Sequence, residues 1–109
     1  MRQVAVLGVG MTKFGKSEKT ALEMFAEAAL EAVTDSNLTV KDIQALFFGT
    51  VYDGFAEGQM NTSAFAAHMI GAHNIPATRY EAACATASLT IRDAFMWVAS
   101  GFYDIVLAG

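Results

Sequence analysis

The stretch A-T-R-Y-E-A-A-C-A-T-A-S-L-T-I-R-D-A-F-M-W-V-A-S-G-F-Y-D-I-V-L-A-G, residues 77–109, contains a strand, a helix and a second strand. Ala77–Ala82 follows a proline and is polar enough for an edge or interface strand. Ala85–Ser100 is apolar or small at nearly every position, which is typical of a helix buried inside a larger body. Gly101 ends this helix, and Ile105–Ala108 is wholly apolar, as in a strand buried on both faces. The stretch therefore predicts a parallel sheet with a helical crossover.

The preceding sequence continues this alternation. Val4–Val9 and Ala45–Val51 are short apolar runs that predict two further strands buried on both faces. Between them a helix starts at Thr20, with apolar residues at helical spacing and glutamates on its opposite face. Asn61 is expected to cap a second helix that runs through Ile70. The order β–α–β–α–β–α–β predicts an α/β fold, with a mostly parallel sheet and helices on both faces, in one domain or fragment over residues 1–109.

Composition excludes several classes of protein. The formal net charge is −4, which argues against a nucleic-acid partner. The single cysteine excludes a disulfide scaffold and a four-cysteine metal site, and it fits a reducing, cytoplasmic location. No metal site is predicted, and no run approaches the ~20 apolar residues that span a bilayer. Because 54% of the residues are hydrophobic, we expect a second copy, another subunit or further polypeptide to cover part of the surface.

Two segments carry candidate chemistry. Gly8–Gly15 follows the first predicted strand, but Lys13 replaces the third glycine of a dinucleotide-binding fingerprint and no helix opens there, so a plain turn is favoured over a nucleotide site. Cys84 lies between a predicted strand and the N-terminus of the buried helix. Free N–H groups and the helix dipole at such a place stabilise a thiolate and an oxyanion. The alternative is a small buried hydrophobe, the usual role of a lone cysteine.

The sequence resembles a known family at three places, in order. Residues 80–109, Y-E-A-A-C-A-T-A-S through D-I-V-L-A-G, are similar to the nucleophile segment of the thiolase superfamily. V-A-V-L-G-V-G-M-T-K-F-G, from Val4, and G-Q-M-N, from Gly58, resemble the archaeal and sterol-carrier type of acetyl-CoA acyltransferase. The similarity covers essentially the whole chain, as the N-terminal part of such an enzyme. One departure is Ala87, where the family usually has glycine.

The resemblance implies a function and a site. Cys84 would be the catalytic nucleophile and take an acyl group from an acyl-CoA substrate, with backbone donors from the Cys84 and Ala85 region and no bound cofactor. The family's base-bearing segments have no counterpart here, and neither His68 nor His73 matches a family base. The resemblance therefore implies that the base belongs to further sequence or to a second chain carrying the rest of the enzyme.

The resemblance also implies an assembly. In this family the strand before the nucleophile pairs with its copy across a two-fold axis, which predicts a homodimer, or a tetramer, through Ala77–Ala82. Arg79 of one copy would then face Glu81 of the other. A non-catalytic assembly subunit or a truncated product that keeps the thiolase fold is the alternative function. Arg92 and Asp93 are predicted to form a structural polar pair, with pairing to a partner as the alternative. Asp53 and Glu57 flank a loop at the end of a strand and are predicted to form a solvated turn, with a place at the edge of a site as the alternative.

Overall fold

The computed structural model describes residues 1–109 and contains a three-stranded parallel sheet. The strands are β1 (Ala45–Gly49), β2 (Ala77–Tyr80) and β3 (Val106–Ala108). Their order in space is β2–β1–β3, and β1 pairs in parallel with both neighbours. The predicted α/β class is confirmed, as are three of the four predicted strands.

One helix precedes β1, and the others lie between successive strands. The helices are α1 (Ala21–Asp35), α2 (Asp53–Ala56), α3 (Thr62–Met69) and α4 (Thr86–Ala99). The short α2 is the one helix that the sequence pattern did not predict. Gly101, which follows α4, has φ 84°, a left-handed conformation that glycine adopts without strain.

The start of α1 has a capping box. The Thr20 hydroxyl accepts a hydrogen bond from the Glu23 N–H at 3.2 Å, and the Glu23 carboxylate accepts one from the Thr20 N–H at 2.8 Å. Asn61 occupies the predicted position before α3, but its side chain makes no capping hydrogen bond. The predicted helix positions are therefore confirmed, whereas the predicted Asn61 side-chain cap is wrong.

The central strand β1 is buried between helices on both faces of the sheet. Leu46 and Phe48 belong to a core cluster with α1 and α3, and the Phe48 ring meets Phe25 of α1 edge-on at 4.9 Å. On the opposite face, Phe47 contacts Tyr80, and Gly49 lies against α4. The period-two alternation of a strand produces this division.

The N-terminal segment Val4–Val9 is not a strand, so that prediction is wrong. Both edges of β1 are occupied by β2 and β3, and the segment makes no backbone hydrogen bond to the outer edge of either neighbour. The segment instead runs along α1, where a side chain at Gly8 or Gly10 would collide with the helix backbone. The Val9 N–H donates to the Asp35 carboxylate at 2.9 Å. Packing on α1 thus explains the glycines at positions 8 and 10.

Much apolar surface of this chain faces outward. On α4 only Thr86, Thr90 and Ala99 are buried, while Ile91 is 63% exposed. Residues 1–109 thus cover only one side of α4, and the burial of this helix inside a larger body stays a prediction. An apolar groove of about 670 Å³ is lined by the N-terminal segment, α1, α4 and β3. None of the helices combines the length and apolarity needed to cross a membrane.

Candidate functional site

The candidate nucleophile lies at the edge of the sheet where the strands end. Cys84 sits in a single 3₁₀ turn, Ala83–Ala85, which joins the end of β2 to the start of α4. Its side chain is exposed, so the alternative of a small buried hydrophobe is wrong. In open α/β sheets, ligands bind outside the carboxyl ends of the strands. Within residues 1–109, Cys84 is therefore an exposed thiol at the carboxyl edge of the sheet.

The turn that holds Cys84 has an unusual backbone. Ala83 has φ 47°, a left-handed conformation that costs a non-glycine residue about 1–3 kcal/mol. The hydroxyl of Thr86 accepts a hydrogen bond from the Ala82 N–H at 2.9 Å and donates one to the Ala83 carbonyl at 2.7 Å. The Thr86 N–H also donates to the Ala83 carbonyl. Thr86, 6% exposed, thus contacts the backbone before and after the strained residue.

One predicted oxyanion donor is already used. The Ala85 N–H donates to the Ala82 carbonyl at 2.9 Å, which closes the turn. The expectation that Ala85 supplies a free donor is therefore wrong for this conformation. No side chain caps the N-terminus of α4, so no side chain occupies the N–H groups of its first turn. Ala87, at the position where glycine was expected, is exposed, and its methyl group has room.

A partly buried hydrogen bond links β2, which precedes Cys84, to α4, which follows it. The Tyr80 hydroxyl donates to Asp93 Oδ2 at 2.9 Å, and Arg92 Nε donates to Asp93 Oδ1 at 2.8 Å. Burial, reinforced by the hydrogen bond to Asp93 and its negative charge, raises the pKa of Tyr80 to about 12. Hydrogen bonds from Arg92 and Tyr80 lower the pKa of Asp93. The predicted structural pair of Arg92 and Asp93 is confirmed, with Tyr80 as a third member.

Asp53 is the residue that sequence reasoning misread. It is 3% exposed and forms an ion pair with Arg79 Nη1 at 2.9 Å, so the expected solvated turn is wrong. Burial raises the pKa of Asp53, but hydrogen bonds from the Thr62 hydroxyl, the Gly54 N–H and Arg79 outweigh that effect and lower it. A buried carboxylate needs a paired charge or hydrogen-bond donors. Arg79 in the edge strand was the residue in the sequence that could have indicated a buried Asp53.

This ion pair involves a residue of the expected contact between copies. Within one chain, Arg79 Nη1 binds Asp53, and the Glu81 carboxylate accepts a hydrogen bond from the Ala83 N–H at 3.3 Å. The contact of Arg79 with Glu81 of a second copy stays a prediction. Glu57, predicted in the same solvated turn as Asp53, accepts a hydrogen bond from the Ala21 N–H at 2.8 Å, at the N-terminus of α1.

The loop after β1 lies at the same sheet edge as Cys84. Its exposed apolar side chains are Tyr52, Phe55 and Met60, and Phe55 is 93% exposed. The Asp53–Arg79 ion pair fixes this loop to the strand that leads to Cys84. The loop therefore offers apolar surface beside the candidate nucleophile.

Neither histidine accompanies Cys84. His73 precedes β2, at the opposite edge of the sheet, and His68 is exposed near the end of α3, which runs back toward that edge. No three side chains of His, Cys, Asp or Glu lie close enough to hold a metal ion. Within residues 1–109, the site at the carboxyl edge thus contains a thiol and backbone groups without a histidine base.

Known proteins are similar to this chain in sequence and in fold. The family model described as Thiolase, N-terminal domain, matches residues 4–109. The chain is 41% identical over 110 residues to an acetyl-CoA acetyltransferase of Methanocaldococcus jannaschii. This alignment covers 100% of the chain and 28% of that protein. The chain is 31% identical to sterol carrier protein 2 of Gallus gallus, over 98% of the chain and 19% of that protein. The chain therefore spans less than a third of the length of these relatives.

A solved structure supports the fold independently of close sequence similarity. The 3-oxoacyl-[acyl-carrier-protein] synthase III of Aquifex aeolicus superposes with a TM-score of 0.70 at 22% identity, over 80% of this chain and 28% of that one. The resemblance to the archaeal and sterol-carrier type is confirmed by the two relatives above. Because the model of the thiolase N-terminal domain matches residues 4–109, the chain belongs to the thiolase family.

Proposed function

We propose that this chain is the nucleophile-bearing part of a thiolase-like acyltransferase, a single thiolase-like unit over residues 1–109, and that Cys84 is its catalytic residue. The observation that carries the proposal is the position of an exposed Cys84 in the turn between β2 and α4 of a thiolase-family chain. The relatives named acetyl-CoA acetyltransferase support an acyl-CoA thioester as the substrate.

The first chemical step is transfer of the acyl group to the chain. The Cys84 sulfur, as thiolate, attacks the thioester carbonyl carbon and forms a tetrahedral oxyanion. When this collapses, the bond to the sulfur of coenzyme A breaks, and the coenzyme A thiolate leaves and takes a proton from solvent. The positive end of the α4 dipole favours the oxyanion.

Carbon–carbon bond formation or cleavage then requires a second acyl-CoA and a base. Because His68 and His73 lie away from Cys84, the proposal assigns this base to residues outside 1–109 or to a second chain. General-base catalysis typically contributes a factor of about 10²–10⁴. We therefore expect residues 1–109 alone to accept an acyl group slowly and to show negligible condensation.

The proposal includes a homodimer, or a tetramer built from it, through Ala77–Ala82. β2 is an edge strand with no strand paired to its outer edge, where the Ser63 hydroxyl donates to the Ala77 carbonyl at 3.2 Å. The Pro76 and Tyr80 carbonyls accept hydrogen bonds from β1, so the intervening Ala77 and Arg79 direct their main-chain groups outward. An open edge of this kind favours pairing with another strand. The single unpaired cysteine supports a cytoplasmic location.

Intact mass spectrometry tests the function. The purified chain is incubated with acetyl-CoA, and Cys84→Ser is the matched control because it keeps the side-chain size and loses the thiol. We expect the parent chain to gain the mass of one acetyl group and the serine variant to gain none. Equal labelling of both variants, or no labelling of a folded parent chain, would contradict the proposal.

A further inference from the structure

We propose that Thr86 is a positioning residue, whose hydroxyl sets the orientation of Cys84 for acyl transfer; this inference rests on the proposed function. Its hydroxyl binds two successive residues, at 2.9 Å from the Ala82 nitrogen and 2.7 Å from the Ala83 oxygen. These residues immediately precede Cys84. The hydroxyl therefore acts on the backbone that aims the sulfur and does not itself touch the substrate.

The backbone at Ala83 requires such a support. Its φ of 47° lies in the left-handed region, which an alanine rarely adopts unless its surroundings hold it there. Ala82 is also irregular, with φ −156° and ψ 45°. One hydroxyl that binds the N–H of Ala82 and the carbonyl of Ala83 fixes both residues together. Relaxation of Ala83 toward ordinary dihedrals would rotate the peptide unit that carries Cys84.

Thr86 is itself held in place by the sheet. It is 6% exposed, and its methyl group lies so near β1 that a Cβ added at Gly49 would stand 2.6 Å from Thr86 Cγ2. A β-branched side chain in a helix has few available rotamers, and this contact restricts them further. The hydroxyl is thereby directed at the turn. A continuous set of contacts thus runs from β1 through Thr86 to the Cys84 backbone.

The chain offers a matched control one turn further along α4. Thr90 is 0% exposed, and its hydroxyl donates to the Ala87 carbonyl at 2.9 Å. Thr90→Val removes a buried hydroxyl from the same helix without affecting the Ala82–Ala83 backbone. Thr86→Val removes the positioning hydroxyl at nearly constant volume, and Thr86→Ser retains it.

The test compares two reactions of the same thiol. Acetyl transfer from acetyl-CoA to Cys84 needs an aligned sulfur, whereas iodoacetamide, a small reagent, alkylates an exposed thiol in many orientations. We expect Thr86→Val to lower the acetyl-transfer rate about tenfold, a loss of ~1.4 kcal/mol in transition-state stabilisation. Its alkylation rate should stay within about twofold of the parent rate. Thr90→Val should resemble the parent in both reactions. Thr86→Ser keeps the hydroxyl but loses the methyl contact with β1, so its acetyl-transfer rate should lie between those of the parent and Thr86→Val.

The outcomes separate the two proposals. Parent chain that is alkylated but never acetylated at Cys84 would refute the proposed function and, with it, the positioning role. Parent chain that is acetylated, with Thr86→Val acetylated equally fast while folded by circular dichroism, would refute the positioning role alone. An equal loss of acetyl-transfer rate in Thr90→Val would also refute the positioning role alone. Thr86→Ala, which also lacks the hydroxyl, replaces the valine variant in the same comparison if that variant does not fold.

Discussion

Gly49→Ala probes the contact between the central strand and the helix that follows Cys84. Gly49 ends β1 on the face covered by α4. A Cβ at this position would lie 2.6 Å from Thr86 Cγ2 and 2.9 Å from Thr90 Cγ2. Ordinary carbon–carbon contacts are about 3.5–4.0 Å, so α4 would have to move away by about 1 Å. Gly49→Ala should therefore destabilise the fold and disturb the site together.

The size of the effect follows from two opposing terms. An added methyl group in a well-packed core typically costs about 1–3 kcal/mol. Replacing glycine by alanine inside a strand recovers about 0.5–1 kcal/mol of backbone entropy. The midpoints of these two terms leave a net loss of about 1.25 kcal/mol in the free energy of unfolding, which for a chain of this length lowers Tm by roughly 5–10 °C.

Urea unfolding followed by circular dichroism measures this loss. Thr86→Ser removes the nearest colliding methyl group and keeps the hydroxyl, so the double variant should lose less stability than the sum of the two single variants. A coupling energy of at least ~0.5 kcal/mol is expected for residues in contact. A Gly49→Ala chain within about 0.5 kcal/mol of the parent, the range of surface substitutions, would refute the close packing.

Three further predictions concern the ionisable residues and the open edge. Ultraviolet titration should show one tyrosine that ionises near pH 12, and this transition should be missing in Tyr80→Phe. Because the pKa of Tyr80 is raised, its contribution to stability is complete below pH 10 and is lost as the pH rises toward 12. Asp53→Asn should lower the free energy of unfolding by about 2 kcal/mol at pH 7. Because the pKa of Asp53 is lowered from 3.8, its contribution should be lost as the pH falls below that value, and urea unfolding from pH 6 to pH 2 should show a smaller decline in the variant. Ala77→Pro removes an outward N–H of β2 and should weaken the proposed dimer in sedimentation velocity; an unchanged dimer in the folded variant would exclude pairing through that edge.

The sequence could predict the elements whose signals are local. The helices α1, α3 and α4 follow from apolar spacing together with Thr20, Gly71 and Gly101, which all lie within one turn of the helix ends they define. The strand that precedes Cys84 and the helix that follows it were also predictable. The exposed position of Cys84 then depends on the turn between these two elements.

Features that depend on distant partners were not predictable. Val4–Val9 has the composition of a buried strand, but composition does not reveal that β2 and β3 occupy both edges of β1. Asp53 resembles a turn residue until Thr62 and Arg79, nine and 26 positions later, are brought beside it. The role of the Thr86 hydroxyl was not predictable either, because it depends on the left-handed backbone at Ala83.

The central claim is that Cys84 accepts an acyl group from a coenzyme A thioester. Peptide mapping by tandem mass spectrometry, after incubation of the folded chain with acetyl-CoA, locates the acetyl group on an individual residue. We predict a thioester on Cys84 that hydroxylamine removes and that is absent from the Cys84→Ser variant. Acetyl groups found only on lysines, with the Cys84 thiol unmodified, would contradict the account.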